Sequence, residues 1–110
     1  MIAIVGPTAS GKSALAMRVA ERLGGEIVSA DSRQVYRGMD IGTAKPTADE
    51  RVRVRHHLID VADPGDRFDV LRYQREAQQA LGEIRARRHV ALVVGGTGLY
   101  VRALLDGLDL

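Results

Sequence analysis

The chain has 110 residues, is 45% hydrophobic and carries a formal charge of only +2, which suits one globular core and excludes a disordered or strongly polycationic segment. It has no cysteine, so disulfide scaffolds, thiolate metal sites and dithiol redox chemistry are excluded. The small cationic surplus permits a nucleic-acid partner without demanding one.

Ile2–Val5 reads as a buried strand that stops at Gly6, too short for a signal peptide or a membrane span, so no membrane association and a cytoplasmic location are expected. A helix follows over Lys12–Leu23, with Leu15, Val19 and Leu23 recurring at four-residue spacing beside Ala16 and Ala20, and Gly24-Gly25 ends it. Residues 26–30 form a second strand. From Asp31 to Thr47 the periodicity dissolves into Gly38, Gly42 and Pro46, leaving a long irregular stretch with at most a short helical turn around residues 34–36, the kind of loop that carries function. Residues 57–61 read as a third strand and Asp63-Pro64-Gly65-Asp66 as a turn.

The next helix is the best defined: Asp69 suits its N-cap, Phe68 and Tyr73 stand at staple positions, and Val70, Tyr73, Ala77, Leu81 and Ile84 form one apolar face. Residues 90–94 are a fourth strand, apolar enough to be buried on both faces. Gly95-Gly96 leads into a helix over residues 98–105, with Thr97 as its N-cap. This alternation predicts an α/β fold, a parallel sheet with helices on both faces. Such sheets bind ligands at the carboxyl ends of their strands, where residues 6–13, 31–45 and 95–97 would gather. No further strand follows Leu105, so a truncated sheet, part of a longer protein, is expected.

Gly6-Pro7-Thr8-Ala9-Ser10-Gly11-Lys12-Ser13 fits the spacing of glycine, four residues, glycine, lysine and serine or threonine, and lies between a strand and a helix. This is a P-loop, and the expected architecture is P-loop NTPase-like over residues 1–110. Its backbone N–H groups and the helix N-terminus cradle phosphate, Lys12 neutralises the outer phosphates, and the Ser13 hydroxyl is the expected ligand to Mg2+. The loop does not say which phosphate-bearing molecule it holds.

Asp31 follows the second strand, where a carboxylate has two open roles: base toward a nucleophile attacking the bound donor, or cap of the helical turn behind it. Arg33, Arg37 and Lys45 are phosphate contacts or solvated charges. The fourth strand ends in Val93-Val94-Gly95-Gly96 rather than in the aspartate that helps hold magnesium in many ATPases. Asp60 is either a substitute for that aspartate or a turn residue. His56-His57 lacks a partner at ligand spacing, which favours packing over metal binding. The glycines at 95, 96 and 98 admit close approach of a substrate or simply a tight turn.

Four segments together resemble one family, the tRNA dimethylallyltransferases, or isopentenyl-diphosphate:tRNA transferases: residues 6–13; residues 31–46, which run Asp31-Ser32-Arg33-Gln34-Val35-Tyr36 through Gly42-Thr43-Ala44-Lys45-Pro46; His57-Leu58-Ile59-Asp60; and Val94-Gly95-Gly96-Thr97-Gly98-Leu99-Tyr100. The resemblance implies transfer of a dimethylallyl group from dimethylallyl diphosphate to N6 of adenine 37 in tRNA. It implies that Thr8 to Ser13 grip the diphosphate, that Asp31 is the general base, that Ser32, Arg33 and Gln34 lie against the tRNA, and that Thr97 stands near the flipped-out base. It further implies that this chain is the N-terminal portion, without the tRNA-gripping insertion, a later catalytic arginine and the remaining strands. A monomer is expected. The competing expectations are a P-loop kinase, with ATP in the same loop and Asp31 deprotonating a hydroxyl, and a noncatalytic phosphate- or RNA-binding module.

Overall fold

The computed structural model describes residues 1–6, 11–38, 45–96 and 98–106. The elements are β1 (Ile2–Val5), α1 (Lys12–Leu23), β2 (Glu26–Ser29), α2 (Ala48–Arg53), β3 (His56–His57), α3 (Val70–Ala86), β4 (Ala91–Gly95) and α4 (Gly98–Asp106). All strand pairs are parallel, in the order β1-β4-β2-β3. β4 is therefore central, and its Leu92 and Val93 are shielded from both sides, as its uninterrupted apolar run predicts. Helices cover both faces. On one, α3 and α4 pack together over Val28 and Val93; on the other, α1 presses Ala16, Met17 and Ala20 onto Ile27 and Leu92.

The expected stripe of α1 is corrected. Leu15 and Leu23 are exposed and Val19 only half-buried, while the residues facing the sheet are Lys12, Ala16, Met17 and Ala20. Four-residue spacing marks a helical row without saying which of two adjacent rows faces inward. Here the small row wins because alanines let the helix axis come close to the strands. The larger leucines are left exposed, and β1, expected to be buried, is instead an edge strand with Ile2 and Val5 exposed.

α3 matches expectation closely. Asp69 Oδ1 accepts from the Arg72 N–H at 2.9 Å, Phe68 and Tyr73 share one core, and Tyr73, Ala77, Leu81 and Ile84 are buried. The Tyr73 hydroxyl donates to the Ser29 carbonyl at 2.9 Å, fixing the end of β2, and its ring stacks on Tyr100 with centroids 4.3 Å apart. The third strand is shorter than the expected 57–61. Leu58 and Asp60 adopt φ of 66° and 58°, so the chain leaves the sheet after His57. It then joins the turn that follows β2: the N–H groups of Asp60 and Val61 donate to the carbonyls of Gln34 and Val35. α2 was not anticipated, although Thr47 and Glu50 form a reciprocal capping box whose spacing is visible in the sequence.

At the amino edge of the sheet, the Glu26 carboxylate ties three segments together. Arg87 donates to both its oxygens at 2.8 Å, and His57 and His89 each contact one at 2.8 Å. The Arg87 hydrogen bond, aided by the two histidines, outweighs the burial that would raise it and holds the Glu26 carboxyl at about 2, against an ordinary 4.5. A depressed carboxyl contributes stability that is present above its unfolded value and is lost as pH falls through the folded one. Urea titrations are therefore expected to show stability falling between pH 4.5 and about 2. Glu26→Gln is expected to remove on the order of 3 kcal/mol at pH 7 and to flatten that acid limb.

Candidate functional site

The carboxyl ends of β1, β2 and β4 meet at one edge, and the expected site residues that are described lie there. β1 runs into Gly6, whose N–H approaches the Gly95 carbonyl at 3.4 Å. Gly11 precedes α1 with φ 78°, a left-handed conformation that glycine adopts without a Cβ clash. α1 then starts with no side-chain cap and no acidic residue in its first turn, leaving the positive end of its dipole unneutralised from within the helix. Lys12 is buried and Ser13 exposed at that end. Pro7, Thr8, Ala9, Ser10 and Thr97, all expected site residues, lie outside the described residues.

Asp31 is 6% exposed. Its Oδ1 accepts from the N–H groups of Arg33 at 2.8 Å and Gln34 at 3.4 Å, so the capping role left open by the sequence is real. That role also orients the carboxylate, because two backbone donors hold one oxygen in place. The Ser29 hydroxyl donates to Gln34 Oε1 at 2.8 Å, tying the turn back to β2. Lys12, Ser13, Asp31, Gln34 and Gly95 line a common cavity of about 50 Å3. Of the other expected tRNA contacts, Ser32 is half-buried and Arg33 exposed, and neither lines the cavity.

Several expected alternatives resolve into structure. Asp60 does not line this cavity among the described residues; it accepts from Lys45 Nζ at 2.5 Å and Arg51 Nη1 at 3.0 Å. Burial would raise the Asp60 carboxyl, but the hydrogen bonds and charges of Lys45 and Arg51 hold it below its ordinary value. Lys45 also donates to the Tyr36 carbonyl at 2.7 Å, which makes it a clasp across the long loop. Arg37 pairs with Asp63 at the surface. His56 rests its Nδ1 on the Val54 carbonyl at 2.8 Å, and burial pushes it below the ordinary histidine value. Among the described residues no cluster of histidine and carboxylate groups is arranged to hold a metal.

The sequence profile described as IPP transferase matches residues 34–110, and that described as isopentenyl transferase matches residues 1–63. The chain belongs to the IPP transferase family. It is 58% identical, over 98% of its length, to a tRNA dimethylallyltransferase of Anaeromyxobacter dehalogenans (strain 2CP-C), of which it covers 36%. The full-length tRNA isopentenylpyrophosphate transferase of Bacillus halodurans has been solved by crystallography. It superposes with a TM-score of 0.92 at 52% identity, over 99% of this chain and 36% of that one. A eukaryotic dimethylallyltransferase solved acting on tRNA gives 0.89 at 35% identity, over 94% and 26%. This IPP transferase chain thus spans about a third of the length of the curated relatives it matches. The expected parallel P-loop fold and family are borne out, and the kinase alternative is not favoured.

Sequence reasoning missed the apolar wall of the cavity, formed by Ala16, Met17, Ile27, Pro46, Ile59 and Val94. A signal was present, since Ile27, Ser29 and Asp31 alternate onto one face of β2 and its extension. Gly95 has a further role that its sequence context does not reveal. A Cβ there would stand 2.2 Å from the Ala30 carbonyl oxygen, so Gly95 makes room for the protein's own backbone beside Asp31. Gly95→Ala, which forces this contact onto backbone atoms that cannot rotate away, is expected to destabilise the chain by about 2 kcal/mol in chemical denaturation.

Proposed function

We propose that residues 1–110 are the P-loop core of a tRNA prenyltransferase that moves a dimethylallyl group from dimethylallyl diphosphate to the exocyclic N6 of adenine 37 in tRNA, acting as a cytoplasmic monomer. The observation that carries this is the union, in one cavity, of a buried lysine at a helix N-terminus, a backbone-oriented carboxylate and an apolar wall. A nucleotide kinase has use for the first two features; a prenyl donor has use for all three.

In this scheme the P-loop from Gly6 to Ser13, including Pro7, Thr8, Ala9, Ser10 and Gly11, wraps the diphosphate. Lys12 and the α1 dipole offset the charge that builds on it as the C1–O bond breaks and the electron pair leaves with the diphosphate. Ser13 supplies a hard hydroxyl oxygen at the cavity wall, a donor type that suits Mg2+. Bound there, the ion would add positive charge against the diphosphate oxygens. Asp31 takes the N6 proton as that nitrogen bonds to C1; Oδ1 is held by Arg33 and Gln34 N–H, and Oδ2, which no hydrogen bond engages among the described residues, receives it. Ser32, Arg33, Gln34 and Thr97 lie against the tRNA, whose target base leaves its stack to reach the carboxylate.

The test is a chimera in which residues 1–110 replace the matching segment of the Bacillus halodurans relative. Asp31→Asn keeps an oxygen for the two N–H groups and so keeps the turn. It is expected to leave folding and donor binding intact while slowing prenyl transfer by about 10²–10⁴-fold. Unchanged transfer would exclude Asp31 as the base.

A further inference from the structure

The cavity has a gradient of polarity that two elements repeat. On β2 and its extension, Asp31 stands at the carboxyl edge of the sheet, and Ser29 and Ile27 follow successively further from that edge. On α1, Lys12 and Ser13 stand at the mouth and Ala16 and Met17 lie one turn deeper. α1 links the parallel strands β1 and β2, so it runs back along the sheet and both gradients descend in the same direction. Met17, Ile27 and Ile59 are each 4–5% exposed. The polar residues of the lower half are already engaged: Glu50 by the Thr47 N–H, and His56 by the Val54 carbonyl.

We propose that this apolar half is the pocket for the hydrocarbon tail of the donor and that Met17, facing Ile27 and Ile59, sets the chain length it accepts. The proposal rests on the prenyl-donor function given above. Size agrees with it. Met17 lies one turn below Ser13, about 6 Å along the helix axis, so a short branched chain anchored by its diphosphate at Ser13 ends at Met17. The cavity measures about 50 Å3. At roughly 10–15 Å3 per water the whole cavity, its polar end included, holds about four waters, well short of the room that ten carbons need. Met17 is suited to this position because an unbranched thioether closes over irregular shapes, and its truncation lengthens the pocket without adding a polar group.

The test is calorimetric titration of the chain, with magnesium, against the thiodiphosphates of dimethylallyl and geranyl alcohols and against inorganic diphosphate. The unsubstituted chain is expected to bind the dimethylallyl compound at least about tenfold more tightly than the geranyl one, the discrimination expected when an apolar pocket is too short for the added carbons. Met17→Ala is expected to reduce that ratio at least about tenfold and to leave inorganic diphosphate binding unchanged. Equal affinity for the two chain lengths in the unsubstituted protein overturns the tail pocket, as does a ratio that Met17→Ala leaves untouched. In both cases continued binding of inorganic diphosphate leaves the donor site standing. Failure of all three compounds to bind overturns the donor function itself. If Met17→Ala does not fold, the ratio measured in the unsubstituted chain decides alone.

Discussion

The close approach of two strand ends at Gly95 is the constraint on which the site depends. Where a side chain would begin, the carbonyl of Ala30 already stands, and the Gly95 carbonyl in turn faces the N–H of Gly6. One residue without a Cβ thus brings the exit of β1, which begins the phosphate loop, and the exit of β2, which delivers Asp31, against the end of the central strand. The proposed transfer, from a diphosphate at the P-loop to a nitrogen deprotonated by Asp31, needs a fixed separation, and a packed sheet edge fixes it better than loops can.

The two edges of the sheet treat charge in opposite ways. At the amino edge Glu26 is saturated by Arg87, His57 and His89, so that edge is a staple joining β2, β3 and the end of α3. At the carboxyl edge α1 opens with no side-chain cap and no acid in its first turn, and among the described residues Asp31 accepts from backbone N–H groups rather than from a cation. Compensated charge at one edge gives stability; charge held in place by backbone donors at the other suits a ligand. The Lys45–Asp60–Arg51 clasp extends the first strategy to the long loop, holding its far end against Tyr36.

Much of this was legible in the sequence. The courses of β1, β2 and β4, the Asp69 cap and apolar face of α3, the parallel α/β arrangement and the placing of Lys12, Ser13 and Asp31 at one edge follow from hydrophobic period, capping chemistry and the P-loop spacing. What was not legible depends on tertiary choices. The row of α1 that faces the sheet is decided by how closely alanines allow it to pack. β3 ends early because residues 58–62 find better partners in the turn after β2, a contact between segments more than twenty residues apart. α2 announces itself by Thr47 and Glu50 but has no buried residue of its own, so no apolar period accompanies the cap. The apolar wall of the cavity draws on α1, β2, β4 and two loops, and only the fold assembles it.

The donor is the centre of the account, and its identity is tested most directly by titrating the chain with dimethylallyl thiodiphosphate and, separately, with ATP, each with magnesium and with Lys12→Ala as control. Tighter binding of the prenyl compound, lost in Lys12→Ala, is the predicted result. A preference for ATP would contradict it, because the apolar wall beside the P-loop would then serve no part of the ligand.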